Sequence, residues 1–292
     1  MMVTESQSVA LAGRCEAALQ AVLHSVEQSA PGRWAAHLRY CDGPPLLAEL
    51  TDGLLVLSGA VSPANSCSRW DLVKANGALP GLVKFCLAPD GELSLRAEIP
   101  VEEATDLRRR LAQVGRGFAA ALRPCRNAHR VAVPPEPIAP DLPRLVEASG
   151  WPCSSRQGDS CAVPLETRHA GQTALITAPA GAVQVCAELS AWDTLSKPCR
   201  EAVALLLLTA NARLRLARSI ITEDEMGGAA QLEVLYEAPV CAAELRAALE
   251  ALTVGADLCA PAAESLQHEA AAQLFLALRG GPHGREDNQQ KN

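Results

Sequence analysis

The stretch 82–100, LVKFCLAPDGELSLRAEIP, decides the fold that we predict for this chain. Two apolar segments flank Pro89-Asp90-Gly91, whose residue types are typical of a tight turn. Every second residue from Leu93 to Ile99 is apolar, and the residues between them are polar or small. This alternation is typical of a strand with one buried face and one solvated face. The stretch therefore predicts an antiparallel β-hairpin that Pro100 closes.

The segments around this hairpin predict three more strands and three helices. Apolar residues from Leu11 to Val26 recur at helical spacing, and Pro31-Gly32 ends that helix. Acidic residues at Glu102, Glu103 and Asp106 suit the positive end of a long helix. The predicted elements are a helix over Leu11–Val26, strands over Arg33–Cys41, Leu46–Leu50 and Leu54–Leu57, a helix over Trp70–Leu79, the hairpin Leu82–Leu87 with Glu92–Ile99, and a helix over Glu102–Leu122.

The second part of the chain repeats this order of elements. Its predicted elements are a helix over Leu142–Ala148, strands over Cys161–Leu165, Gln172–Ala178 and Val183–Leu189, a helix over Lys197–Leu214, a hairpin over Leu216–Thr222 and Gln231–Glu237, and helices over Ala242–Ala256 and Ala262–Leu278. The matching segments are 51–53 with 179–181, 74–76 with 209–211, and 92–100 with 231–239, together with Leu107 and Leu111 against Leu245 and Leu249. A period near 130 residues indicates two copies of one domain.

We therefore predict an α+β protein made of two tandem α-β-β-β-α-β-β-α domains, each an antiparallel sheet covered by helices. The first copy covers residues 1–122 and the second covers 142–279. Between them lies a proline-rich linker over 123–141, since six prolines fall between residues 123 and 143 and proline resists both helix and sheet. Residues 280–292 are polar and are predicted to be a disordered tail.

The overall composition excludes several classes of protein. The 292 residues are 49% apolar, which is too many for a disordered chain. The net charge of −7 and the 3% of aromatic residues argue against a nucleic-acid partner. No secretory signal is visible, and the longest apolar run, 202–208, is far shorter than the roughly 20 residues of a membrane span. We expect a cytoplasmic protein without a membrane partner.

No motif in the sequence predicts catalysis, a cofactor or a metal. The 11 cysteines include no close C-x-x-C pair, so we expect reduced core thiols, with one reactive thiol or a metal site as lesser alternatives. His37 and His169 fall at nearly matching places, either as strand residues near turns or as a shared site. Glu223-Asp224-Glu225 is expected to be a solvated turn rather than a weak cation site. Arg108-Arg109-Arg110 is expected to be a solvated charged helix face. Nucleophile-elbow and phosphate-loop patterns are absent, so we expect no enzyme.

The four tryptophans are the candidate partner-binding residues, because tryptophan is enriched in the residues that dominate binding energy. They are Trp34, Trp70, Trp151 and Trp192. Core packing or helix capping is the alternative for each of them. The apolar run 202–208 exceeds what one helical face needs, which predicts a helix buried on most sides at the interface between the two repeats.

Three features resemble the type III secretion chaperone-like domain, which YbjN-type bacterial regulatory domains share. They are the alanine-asparagine steps Ala75-Asn76 and Ala210-Asn211, the hairpin 87–95, and the strand end Ile99-Pro100 that leads into a long amphipathic helix. The resemblance covers residues 10–122 and 142–275, but the second copy has a different hairpin turn at 224–228 and a shorter first helix. It implies a small acidic protein that is not an enzyme.

Proteins of this kind usually dimerise and bind an extended segment of a secreted client along apolar grooves and sheet edges. The resemblance therefore implies a tandem protein that holds a client polypeptide, as a monomeric pseudo-dimer or as a homodimer. The alternative is a YbjN-type regulatory or scaffold protein that binds a folded signalling partner. An exposed apolar groove or a free sheet edge favours the first function, and a flatter polar surface favours the second.

Overall fold

A computed structural model describes residues 5–38, 45–61, 68–88, 90–122, 141–157, 160–168, 171–179, 181–224 and 227–279. Within these ranges the chain is α+β, with seven helices and two antiparallel six-stranded sheets. This confirms the predicted class. The linker predicted over 123–141, apart from its last residue, and the tail predicted over 280–292 lie outside the described residues.

The first half of the chain, residues 5–122, forms one sheet and three helices. In chain order its elements are α1 (Glu5–Val22), β1 (His24–Ala30), β2 (Arg33–His37), β3 (Leu46–Thr51), β4 (Leu54–Ala60), α2 (Arg69–Ala78), β5 (Lys84–Leu87), β6 (Leu93–Pro100) and α3 (Leu107–Leu122). The strand order across the sheet is β1-β2-β3-β4-β6-β5. The predicted hairpin is thus β5 with β6, where Phe85 lies opposite Leu95.

The second half, residues 141–279, forms the other sheet and four helices. Its elements are α4 (Leu142–Ser149), β7 (Ser155–Gln157), β8 (Ser160–Pro164), β9 (Thr173–Thr177), β10 (Ala182–Ala191), α5 (Lys197–Asn211), β11 (Arg218–Asp224), β12 (Gly227–Glu237), α6 (Ala242–Ser265) and α7 (Glu269–Arg279). Read from its first strand, the sheet has the order β7-β8-β9-β10-β12-β11. This is the strand order of the first half, and α7 is added after it.

Each half has four strands before its middle helix, so the prediction of three was wrong. α1 ends at Val22, and residues 24–30 form strand β1 instead of continuing the helix to Val26. Gly32, with φ of +71°, makes the turn into β2. The strand was missed because most of its residues are exposed and polar, so it lacks the alternation of a half-buried strand. The three-residue strand β7 was missed in the same way.

Several helix boundaries also differ from the prediction, and the helix predicted from Ala262 begins at Glu269 instead. α3 begins at Leu107, and Glu102 and Glu103 precede it, so they do not form its first turn. Asp106 lies at the true start, where its side chain accepts a hydrogen bond from the Arg109 amide at 3.2 Å. α6 does not end at Ala256 but continues through Pro261 to Ser265. A proline costs a helix one amide donor, and here the packed helix tolerates that loss.

Both sheets bury one face beneath a helix that approaches closely at a glycine. α3 covers the first sheet and α6 the second. A Cβ atom on Gly117 would lie 2.5 Å from Val83, and one on Gly255 would lie 2.8 Å from Leu232. The two glycines stand at the same distance along the chain from Leu107 and from Leu245, in agreement with the alignment of these two helices. Small residues are required there because real Cβ contacts are never so short.

Candidate partner-binding surfaces and the contact between the halves

The two halves contact each other through their middle helices and inner edge strands. α2 packs against α5 and against strand β11 of the second half, and α5 packs against strand β5 of the first half. β5 and β11 are the inner edge strands of the two sheets, and both are buried in this contact. β1 and β7 are therefore the two outer edges.

Two buried asparagines join the inner edge strands. The Asn76 side chain accepts a hydrogen bond from the Phe85 amide at 2.7 Å and donates one to the Ser219 carbonyl at 3.1 Å. The Asn211 side chain accepts from the Ser219 amide at 2.9 Å and donates to the Phe85 carbonyl at 2.9 Å. Each asparagine thus binds its own inner strand through its oxygen and the other half through its nitrogen. The Ser219 hydroxyl also donates to Asn211, at 2.9 Å, which has no equivalent at Asn76.

This exchange corrects the alignment of the two hairpins. Phe85 and Ser219 play the same part in the contact, and their partners on the next strand are Leu95 and Leu232. Leu95 therefore matches Leu232 and not Val234, so the alignment of 92–100 with 231–239 was wrong by two residues. A shift of two residues keeps inward and outward side chains in step, because side chains alternate with a period of two. The pattern of apolar residues alone could not detect it.

A buried cation lies beside each asparagine. The Lys84 ammonium group pairs with Glu98 at 2.9 Å and donates to the Leu214 and Ala217 carbonyls of the second half, at 2.5 and 2.9 Å. It is the only charged residue in the apolar run 82–87, and a single charge within such a run is the signal from which its burial could be predicted.

Arg218 takes the same position in the second half, since it precedes Ser219 as Lys84 precedes Phe85. Its guanidinium group pairs with Glu233 and donates to the Leu79 and Val83 carbonyls of the first half, at 2.9 and 3.1 Å. Each half thus sends a buried positive charge into backbone carbonyls of the other.

Arg110 of α3 makes a third buried contact, and it has no counterpart. Its guanidinium group binds both carboxylate oxygens of Glu244 at 2.7 Å and the carbonyls of Glu237 and Pro239 at 2.6 and 3.0 Å. It also lies 4.7 Å from the centre of the Tyr236 ring. The expectation that 108–110 is a solvated charged face was thus wrong for Arg110, which is 2% exposed. The aligned residue of α6 is Ala248, so this contact makes the two halves unlike.

Burial divides the four tryptophans predicted to bind a partner. Trp34 on β2 and Trp192 after β10 are buried, so neither side chain is available to a partner at the surface of this structure. Their burial agrees with the core-packing alternative. Trp70 is partly buried, and its ring lies 6.1 Å from that of Trp192, across the contact between the halves. Trp151, after α4, is partly buried and packs on the core. Only Trp70 and Trp151 keep any exposed surface.

The residues considered as alternative sites do not form one cluster. His24 and His37 lie opposite each other on β1 and β2, whereas His169 lies outside the described residues. Glu223 pairs with Lys74 of the first half at 2.6 Å, and Asp224 ends β11; Glu225 is not among the described residues. Within the described ranges, no three histidine, cysteine or acidic side chains come together as metal ligands.

Two shallow cavities lie between the first helix of a half and the start of the helix that covers its sheet, α6 in the second half and α3 in the first. One, of about 530 Å³, is lined by Arg109, Asp141 and Arg144 together with apolar residues of α4 and of the segment 238–242. The other, of about 490 Å³, is lined by Arg14, Arg108 and neighbouring residues of α1 and of the start of α3. Each cavity thus carries arginine side chains at its rim.

The open faces of the two sheets each present one leucine. Leu47 on β3 and Leu175 on β9 are about half exposed or more, and both lie on the third strand from the outer edge. Leu47 lies between Ala35 and Ser58, and Leu175 between Ala162 and Cys186. The other exposed large apolar side chains in the described residues are Val9 on α1 and, on the last two helices, Val254, Leu258, Leu274 and Leu278. The leucines on the sheets are the pair that occurs at matching positions.

None of the helices in the described ranges has the length and apolar character needed to cross a bilayer. The chain matches no protein-family model and no curated protein sequence.

Proposed function

We propose that this chain is a cytoplasmic, non-enzymatic protein of the type III secretion chaperone-like kind, in which two tandem domains form a pseudo-dimer and hold a client polypeptide. The observation that carries the proposal is a pair of equivalent hydrogen bonds from the two middle helices: Asn76 donates to the Ser219 carbonyl of the second half, and Asn211 donates to the Phe85 carbonyl of the first. Both asparagines belong to the alanine-asparagine steps on which the family resemblance rests. A contact in which equivalent residues bind each other's strands is the arrangement of a two-fold dimer.

Because the inner sheet edges are covered, the client is expected to bind at the outer surfaces. A sheet edge can bind an extended peptide only where its amides and carbonyls are free. β5 and β11 are covered by the opposite half, while β1 and β7 are not paired on their outer sides within the described residues. Leu47 and Leu175 add an apolar contact near each outer edge. The pseudo-dimer thus offers two similar surfaces for one extended client.

The irregular edge of β1 favours the second candidate, a YbjN-type regulatory or scaffold protein that binds a folded partner. Ser25 has a positive φ of +49°, the pairing with β2 shifts register twice, and Glu27 places a charge on the strand. Bulges and charges at an edge are features that hinder the addition of another strand. A partner that docks on the sheet face would not need this edge.

Capture from the cytosol of the source cells tests the proposal. The tagged full chain is compared with the variant Leu47→Asp/Leu175→Asp and with the control Val254→Asp, which places one such charge at an exposed position of α6. We expect one main partner, bound through a segment that is protease-sensitive when free and protected in the complex. The double variant is expected to reduce its capture at least tenfold, and the control to leave it unchanged.

A main partner that is folded and stays protease-resistant without this protein would instead establish the regulatory candidate. Equal capture by the double variant and the parent chain would show that the sheet faces are not the binding surface. Recovery of the bait with no partner would contradict both candidates.

A further inference from the structure

Two cysteine thiols lie together at the outer edge of the second sheet. Cys153 precedes β7 and Cys161 lies on β8. The Cys153 thiol donates to the Ser155 carbonyl at 3.3 Å, and it is near enough to the Cys161 thiol to raise the pKa of Cys161. The backbone next to them is joined, because the Ser154 amide and hydroxyl both donate to the Ala162 carbonyl, at 2.8 and 3.0 Å. The short hairpin thus brings the two thiols near each other, and both are free.

We propose that Cys153 and Cys161 form a reversible disulfide when the protein meets a hydroperoxide, so that the β7–β8 hairpin is an oxidation site. The two thiols already lie near each other, and the chain between them is short, so little movement is needed to join them. The inference stands apart from the client-holding function and does not depend on it.

Burial gives the two thiols different parts in this reaction. Cys153 is partly exposed, and an oxidant can reach it from solvent. Cys161 is 2% exposed, so an oxidant in solvent has little access to it. Burial raises the pKa of the Cys161 thiol, and the nearby Arg156 guanidinium acts weakly in the opposite direction. Cys161 therefore keeps its proton until Cys153 has been oxidised, and it then acts as the resolving thiol.

The reaction balances with the hydroperoxide as the two-electron oxidant. The Cys153 thiolate attacks the peroxide, an S–O bond forms while the O–O bond breaks, and the leaving alkoxide or hydroxide takes up the thiol proton. The Cys161 sulfur then attacks Cys153, the S–S bond forms, the S–O bond breaks, and the hydroxyl leaves as water with the Cys161 proton. Two thiols and one hydroperoxide thus give a disulfide, an alcohol and water. A dithiol reductant reverses the step by exchange.

Cys241 supplies a matched control on the same half. It is also partly exposed, but its neighbour is Glu244 and not a second thiol, since the Cys241 amide donates to that carboxylate at 3.1 Å. Among the described residues, an oxidised Cys241 thus has no thiol of the same segment beside it. If exposure alone decided the outcome, Cys241 and Cys153 would react alike.

The experiment treats the full chain with hydrogen peroxide, blocks the remaining thiols in denaturant, and maps the tryptic peptides by mass spectrometry. Arg144, Arg156 and Arg168 place the two cysteines in separate peptides, 145–156 and 157–168, with one cysteine each. We expect these peptides to be recovered joined, with the free thiols falling from 11 to nine and returning to 11 after reduction. Cys241→Ser should leave the joined pair unchanged, and Cys153→Ser should abolish it.

Recovery of both peptides in blocked form would overturn the proposal, and so would Cys153 found as sulfinic acid or joined to any other cysteine. These results come from the parent chain, so they decide the question even where Cys153→Ser does not fold.

Discussion

Lys84 and Arg218 occupy the same position in the two halves, yet their surroundings differ. Both are fully buried, both pair with a glutamate, and both donate to two carbonyls of the opposite half. Glu98 also binds the partly exposed Arg96 at 2.5 Å, so this cluster has two cations and one anion. Glu233 instead accepts from the neutral Gln184 at 2.6 Å, so the second cluster is balanced. Both buried cations thus make the same kind of contact with carbonyl groups of the opposite half, but the positive charge is compensated differently in each half.

Replacing the glutamate of each cluster by glutamine is expected to give the largest loss of stability and to distinguish the Lys84 cluster from the Arg218 cluster. We expect Glu233→Gln to lower the free energy of unfolding by about 4 kcal/mol, since it leaves the Arg218 charge buried without a counterion. Glu98→Gln should cost less, about 2 kcal/mol, because a buried ammonium group can lose its proton whereas a guanidinium group cannot. Urea unfolding followed by circular dichroism measures both. Equal losses would show that the type of cation does not matter here.

Substitution of Arg110 tests the buried contact that occurs in only one of the two halves. We expect Arg110→Met to cost about 3 kcal/mol, because Glu244 is left buried and two carbonyls lose their donor. Adding Glu244→Gln should recover part of the loss by removing the unpaired charge. The matched control is Arg109→Met, next along the same helix and partly exposed, for which we expect less than about 0.5 kcal/mol. No recovery in the double variant would show that Arg110 acts by packing alone.

Substitutions of Asn76 and Asn211 compare the stability that equivalent hydrogen bonds contribute in the two halves. Asn76→Ala removes two buried hydrogen bonds and should cost about 2 kcal/mol. Asn211→Ala should cost slightly more, because the Ser219 hydroxyl also donates to Asn211. In a Ser219→Ala background, the two substitutions should become equal in urea titrations. A difference that persists in that background would locate the inequality elsewhere in the contact.

The buried cysteines are expected to cause a loss of stability at alkaline pH. Burial raises the pKa of Cys15 to about 11 and those of Cys86 and Cys259 to about 12. Between pH 9 and these values the unfolded chain loses thiol protons that the folded chain keeps, so stability falls as pH rises. Each thiol contributes at most about 1.4 kcal/mol per pH unit. Cys86→Ala should flatten the decline from pH 9 to 11, whereas an unchanged slope would assign the decline to other groups.

Much of the architecture is predictable from local patterns. α2 lies within one residue of its predicted bounds because Ser68 and Asp71 cap each other at its start. β6 and β12 follow from alternation, and the run 202–208 lies in α5, where all but Leu206 are buried. Each of these signals comes from neighbouring residues in the chain.

The rest depends on contacts between residues that are distant in the chain. Arg110 has the charge and spacing of a solvated residue, and only Glu244, 134 positions away, makes its burial favourable. The two asparagines were identified as a recurring step, but their role needs the opposite half. Trp34 and Trp192 are of a residue type that is common in binding sites, yet both are buried in the core. Residue type alone does not separate those outcomes.

The covered inner edge of the first sheet has a consequence for synthesis on the ribosome. The first half ends at Leu122, but the strand and the asparagine that cover β5 lie beyond residue 210. Roughly ninety further residues must be translated before Phe85 meets Asn211, which takes about 5–20 s at about 5–20 residues per second. For that time the nascent chain exposes β5 and the inner side of α2. The first half therefore lacks these covering contacts until the second half has been synthesised.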